Sequence, residues 1–339
     1  MESPKFVVVV GTSAGGLNAL SEFVGQIPTG INAAFFIVMH LSKTGISDFL
    51  MHRLQPLTSL KCEIAQEGMP LVRGHIYIAS ADVHLLVKED RILLGRGPEE
   101  NRWRPSIDVL FRSAAVAFST RCIGVILTGL LDDGATGMLA IKRSGGISIV
   151  QDPNEAEYPD MPLAVLNLME VDHCISLAIM GEVISTIAET DPAKAVVPPD
   201  VIIEAEIAER VVVDYDNVKQ LGEKSIYACP DCGGGLWTID SEGEGKNKRN
   251  RYRCHIGHSY SENDLVVKQE QVFETTLWVA LRIMEERKTL FQKMERDNSK
   301  RGFASLAKSY KQKADAIQVH VDKMKEILFD SQKLVKIPG

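Results

Sequence analysis

The chain has 339 residues, of which 45% are hydrophobic and 24% charged, which excludes a largely disordered protein and fits about two globular domains. No run approaches the ~18 continuous apolar residues of a membrane span, and the start Met1-Glu2-Ser3-Pro4-Lys5 has neither the length nor the cleavage site of a secretory leader. The formal charge of −7 is uneven: from residue 266 onward 15 Lys+Arg face 10 Asp+Glu, a local +5 that leaves −12 for residues 1–265. An acidic body of this kind argues against nucleic acid as the main partner, and a cytoplasmic location is expected.

Residues 1–190 read as one α/β domain. Apolar runs at Phe6–Val10, Ala34–Met39, Gly74–Ile78, Gly124–Leu127 and Ile147–Val150 alternate with helical patterns at Gly16–Gly25, Ile107–Phe118 and Ala135–Arg143. The first run is continuously apolar, as in a parallel strand covered on both faces. The alternation predicts a doubly wound, mostly parallel sheet with helices on both faces. His84–Arg96 reads as an inserted β-hairpin. Residues 191–222, opened by Thr190-Asp191-Pro192 and Pro198-Pro199-Asp200, read as a linker carrying a short charged helix or an extended connector. A compact Cys/His module follows over 223–265. Residues 266–339 then repeat a helical spacing, with Leu277, Leu281, Met284 and Phe291 on one face. Phe303, Leu306, Tyr310, Ile317, Val321, Met324 and Leu328 continue it after a break at Arg301-Gly302, so a helical hairpin is expected.

Six cysteines form no secreted disulfide framework. Cys62, Cys122 and Cys174 stand singly among apolar residues and read as buried thiols. Cys229, Cys232 and Cys254 cluster with His258, in Cys229-Pro230-Asp231-Cys232-Gly233-Gly234 and Cys254-His255-Ile256-Gly257-His258. That spacing lets three thiolates and one imidazole close around a structural zinc, with no open position for a substrate water. His255 is an alternate ligand, Trp237 and Tyr252 suggest strands, and Glu242–Arg251 reads as a charged hairpin tip.

The first strand runs into Gly11-Thr12-Ser13-Ala14-Gly15-Gly16 and then a helix. A serine between small residues in such a turn has the design of a nucleophile elbow. The same turn could bind a phosphate or dinucleotide through its glycines and leave Ser13 incidental, although the spacing is not G-x-G-x-x-G and the P-loop lysine is absent. His40 ends the next strand, and Asp133 follows a third in Leu127-Thr128-Gly129-Leu130-Leu131-Asp132-Asp133-Gly134. In an open α/β sheet these strand ends meet at one crevice. There an imidazole can take a serine proton while a carboxylate orients it.

From Lys5 to about residue 188 the chain resembles the catalytic domain of the chemotaxis protein-glutamate methylesterases (CheB type). The resemblance is carried by Gly11–Gly16, Met39-His40-Leu41-Ser42, Ile76–His84 and Arg104-Pro105-Ser106-Ile107-Asp108-Val109-Leu110-Phe111. Leu127-Thr128-Gly129 to Asp133-Gly134-Ala135 and Gln151-Asp152-Pro153 to Met161-Pro162 complete it. It implies Ser13 as nucleophile, His40 as general base, Asp133 as orienting carboxylate and the Leu130 N–H as an oxyanion donor. Leu130 replaces the family's usual methionine, Ala14 its frequent threonine and Leu131 its usual glycine. Asp132 adjoins Asp133, so the carboxylate is assigned by counting back from Gly134. The implied activity is hydrolysis of glutamyl methyl esters on methyl-accepting receptors, with deamidation of receptor glutamines as a second reaction and no organic cofactor. His84 is either structural or a substrate contact, and Arg104 either a receptor contact or the partner of a surface acid. The receiver domain that precedes the esterase in chemotaxis enzymes has no counterpart before residue 6, so control by an aspartyl phosphate on this chain is not expected. The module resembles a zinc-ribbon extension of stand-alone relatives, and the terminal helices could pair two copies. The competing readings are a silent scaffold on the esterase fold and a zinc-ribbon regulator that binds nucleic acid.

Overall fold

The computed structural model describes residues 2–40, 47–209, 219–240 and 250–334. They form two compact units, residues 1–264 and 265–339. The first contains a seven-stranded sheet. Its strands, with those of the inserted hairpin, are β1 (Phe6–Thr12), β2 (Ala33–Met39), β3 (Lys61–Ile64), β4 (His75–Ile78), β5 (His84–Val87), β6 (Ile92–Gly95), β7 (Cys122–Ile126), β8 (Ile147–Gln151) and β9 (His173–Ile175). The sheet order is β3-β4-β2-β1-β7-β8-β9, and every pairing in it is parallel. β5 and β6 pair antiparallel as the expected hairpin.

The apolar run of β1 is continuous because both of its faces are covered. Phe6, Val8 and Val10 pack with Leu20, Phe23, Met180 and Ile184, from helices α1 (Gly16–Gly25) and α6 (Leu177–Glu189). Val7 and Val9 pack with Phe111, Met138, Ile141 and Val165 from α3 (Ile107–Phe118), α4 (Ala135–Arg143) and α5 (Asp160–Leu168). α2 (Ser47–Leu54) adds Leu50 and Leu54 to the first cluster. Each such side chain contributes ~1.5–3 kcal/mol of burial. The order reverses at β1, with β2 on one side and β7 on the other. A switch point of this kind opens a crevice at the carboxyl ends of the flanking strands.

The linker is helical over α7 (Pro199–Glu209). The Cys/His module is a four-stranded antiparallel sheet of β10 (Glu223–Ala228), β11 (Gly235–Asp240), β12 (Asn250–Cys254) and β13 (Ser259–Ser261). Trp237 and Tyr252 lie on strands, as expected. Most of the proposed hairpin tip, residues 242–249, lies outside the described residues, as do Leu41 and Ser42. Arg251 corrects that assignment: it sits in β12 and is buried. Cys174 is also corrected, because it lies on the short edge strand β9 and is exposed, whereas Cys62 and Cys122 are buried.

The second unit is built from α8, which begins at Glu262 and runs to Lys300, and α9 (Ala304–Leu334). The two helices run antiparallel: Lys325 Nζ reaches Glu285 at 3.3 Å, Lys288 Nζ reaches Gln318 at 2.8 Å, and Phe291 stacks on Tyr310. α9 buries Ala307, Ala314, Val321 and Leu328, a strict seven-residue repeat of the coiled-coil type. Phe303 and Leu306, expected on the packed face, are exposed instead. Small alanines take that seam because they let two helices approach closely. Among the described residues no helix is long and apolar enough to cross a membrane.

Candidate active site

The strand registers bring the crevice residues side by side. Thr12 on β1 pairs with Met39 on β2, so Ser13 and His40 are the next residues beyond two adjacent parallel strands, and His40 N–H donates to the Thr12 carbonyl at 3.1 Å. On the other side Ser13 N–H donates to the Thr128 carbonyl at 3.1 Å. Gly15, at φ 74°, makes the left-handed entry to α1, a conformation glycine adopts without steric penalty. Gly129 has no room for a side chain, since a Cβ there would stand 2.9 Å from the Ser13 Cβ and clash with Met161.

His40 is buried and bonds Asp133 through Nε2, 2.8 Å from Oδ2. Asp133 rather than Asp132 is the partner, which resolves the adjacent pair of aspartates. Its carboxylate sits over the start of α3. Asn101 Nδ2 and Ser106 Oγ each donate to Oδ1 at 2.9 Å, Ile107 N–H donates to Oδ2 at 2.8 Å and Asp108 N–H to Oδ1 at 3.3 Å. Burial alone would raise the Asp133 pKa. The His40 bond and charge, with the Asn101 and Ile107 donors, outweigh it and hold the group below the usual carboxylate range. An ionised carboxylate accepts only, so Nε2 carries the imidazole proton and Nδ1 is the basic nitrogen. His40 Nδ1 is buried and takes no hydrogen bond among the described residues. The Trp103 indole stacks on the imidazole, with ring centres 4.1 Å apart and planes 8° from parallel.

Asp108 lies next to this pair. Asn101 Nδ2 also donates to its Oδ2 at 2.9 Å, Gly137 N–H donates to its Oδ1 at 2.6 Å, and Thr136 Oγ1 donates to it as well. Burial, then the Asp133 charge, push the Asp108 pKa up, with Arg112 opposing.

Leu130 and Leu131 form an exposed loop beside the crevice. Gly129 before them is held by Tyr158 and Met161 through both backbone groups. Leu131 has φ 69°, a left-handed conformation that glycine adopts more readily than leucine. His84 is structural: its Nε2 bonds the Pro98 carbonyl at 2.9 Å and its Nδ1 accepts from Ser106 N–H at 3.2 Å. Arg104 pairs with Asp82 at 2.7 Å and donates to the Gly97 carbonyl at 2.8 Å.

In the module, the ligand atoms of Cys229, Cys232, Cys254 and His258 all lie within 4.8 Å of one another. Cys232 Sγ is 3.7 Å from Cys254 Sγ, and His258 Nδ1 is 3.4 Å from Cys254 Sγ. Tetrahedral zinc with ~2.3 Å Zn–S bonds would set sulfurs about 3.8 Å apart, so the group fits a four-coordinate metal. His258, not His255, joins the sulfurs.

Sequence reasoning missed Asn101, Ser106 and Trp103 around the His40–Asp133 pair. Ser106 and Ile107 lie within the Arg104–Phe111 block. Asn101-Arg102 lacks the glycine that marks such a turn in sequence, so Asn101 and Trp103 carried no signal.

The parallel sheet reversing at β1 is the scaffold, and the family match and the names of the relatives that follow support a carboxylic ester hydrolase. The description "CheB methylesterase" matches residues 8–184, and the chain belongs to that family. A Leptospira interrogans protein provisionally named protein-glutamate methylesterase/protein-glutamine glutaminase is 36% identical over 176 residues, 52% of this chain and 91% of that one. A Rhizobium johnstonii protein-glutamate methylesterase/protein-glutamine glutaminase is 35% identical over 180 residues, 52% of this chain and 49% of that one. The Thermotoga maritima CheB methylesterase catalytic domain superposes with a TM-score of 0.52 at 27% identity, covering 55% of this chain and all of that one.

Proposed function

We propose that this protein hydrolyses glutamyl methyl esters on methylated receptor proteins in the cytoplasm, and deamidates glutamine side chains at equivalent positions. Ser13 is the nucleophile. Its Oγ attacks the ester carbonyl carbon as His40 Nδ1 takes the hydroxyl proton, and Asp133 stabilises the imidazolium through Nε2. The Leu130 N–H donates to the developing oxyanion. Collapse breaks the C–O bond to the methoxy group, His40 returns the proton, and methanol leaves. Water then attacks the acyl-enzyme with His40 again as base, regenerating Ser13 and the glutamate. An amide substrate follows the same course and releases ammonia.

The single observation that carries this reading is the buried His40 imidazole, fixed on Asp133 at 2.8 Å with no partner for Nδ1 among the described residues, next in register to Ser13. Family membership and the relatives' names supply the ester and amide as substrate class. We assign structural zinc to Cys229, Cys232, Cys254 and His258; it would brace the module and take no part in the reaction.

The test is methanol release from a methylated receptor cytoplasmic fragment by the wild type and Ser13→Ala. Release should vanish in the variant while the fold persists. Equal release from both, or a serine-directed phosphonate that fails to label Ser13, overturns the assignment.

A further inference from the structure

Glu100–Trp103 is a tight reversal. Trp103 N–H donates to the Glu100 carbonyl at 2.9 Å and Glu100 N–H to the Trp103 carbonyl at 3.2 Å. Both central residues are left-handed, Asn101 at φ 50° and Arg102 at φ 67°. This is the type I′ pattern, whose second central position favours glycine. A non-glycine residue persists there only when its surroundings over-determine it.

Those surroundings include the Cys/His module and the residues just after it. Asn101 N–H donates to the Ser259 carbonyl of β13 at 2.9 Å. Arg253 of β12, completely buried, places Nη2 2.7 Å from Glu100 Oε1. Arg102 Nε lies 2.8 Å from Asp264. The opposite side of the same turn meets the catalytic pair. Asn101 Nδ2 donates to Asp133 Oδ1, the oxygen that His40 does not use, and Trp103 stacks on the His40 ring.

We propose that the Cys/His module is the template for this turn, and that Asn101 and Trp103 are positioning residues through which a folded module sets the His40–Asp133 geometry. The proposal rests on the reading of that pair as base and orienting carboxylate. It makes the module part of the esterase machinery: a chelator or thiol oxidant that dismantles it disables turnover without touching Ser13.

Two full-length variants test this. Asn101→Gly keeps a left-handed turn while deleting the amide donor. Arg253→Met releases the module's grip on Glu100, which Arg112 still holds. Three readouts are taken: the split between kcat and KM, the rate of phosphonate labelling at Ser13, and the low-field proton resonance of the His40–Asp133 bond, which needs no substrate. Both variants should lower kcat and labelling about 10- to 100-fold, the scale of ångström-level misplacement, with KM within about twofold and the resonance shifted or broadened. Arg253→Lys should restore part of each. A folded Arg253→Met protein with wild-type labelling and resonance overturns the proposal. If Arg253→Met does not fold, Asn101→Gly and chelator treatment of the wild type, both followed by the resonance, decide in its place. If the wild type is never labelled at Ser13, the esterase reading fails, while the resonance still reports whether the module sets the pair.

Discussion

The central sheet and the seam between it and the Cys/His module both bury their contact residues, yet they are held by opposite means. The sheet is apolar, with β1 wholly buried between two layers of helices. The seam is ionic. Arg112 of α3 contacts Glu100, Asp108 and Glu204, Arg251 forms a two-pronged pair with Glu204 at 2.6 and 3.0 Å, and Arg253 meets Glu100. Apolar packing adds stability by area and tolerates small changes of shape. Buried ions contribute little net stability when matched and are strongly destabilising when one partner is removed. The sheet is therefore the stable platform, and the seam sets which arrangement of module and esterase is allowed.

The largest expected effect breaks the seam. Glu204→Ala leaves Arg251 without its bidentate partner and Arg112 with one acid fewer, and should lower stability by ~3–5 kcal/mol, read as a fall in the urea midpoint. Acid should act next. Burial would raise the Glu100 and Glu204 pKa values, but Arg112 and Arg253 around Glu100, and Arg251 and Arg112 around Glu204, hold both below the usual range. A depressed carboxylate stabilises the fold fully above its unfolded pKa of ~4.3 and loses that contribution as pH falls toward its folded value. Hydrogen exchange should show β12 losing protection below about pH 4 before β1 does. The smallest effect belongs to the sheet: Ile123→Val, completely buried on β7, should cost only ~0.5–1.5 kcal/mol by the same urea measurement. A loss there as large as that of Glu204→Ala would erase the distinction between the two regions.

Most of the sheet was legible because apolar runs and turn residues act locally. The helices at Gly16–Gly25, Ile107–Phe118 and Ala135–Arg143 appear with the expected bounds. Edge strands β3 and β9 escaped, being short, mixed in polarity and only partly buried. His40 and Asp133 could be placed from their strand ends, whereas Asn101 and Trp103 could not, because their role comes from a turn folded against residues more than 150 positions later. Charge patterning misled at Arg251, read as the end of a charged hairpin tip but buried against Glu204. Arg112, Glu204 and Arg253 are likewise made interior by tertiary contact alone. In the terminal hairpin the bulky residues drew attention away from Ala307 and Ala314, which occupy the helix–helix seam.

Glu204 sits on the connector helix but is shared by Arg112 of the sheet layer and Arg251 of the module. Anyone excising or grafting either part meets a consequence of this. A cut between the esterase and the connector, where the prolines invite one, separates a carboxylate from one of the two guanidiniums it neutralises. The transferable piece of this protein is thus larger than its punctuation suggests: a working graft carries helix α7 together with both of its neighbours.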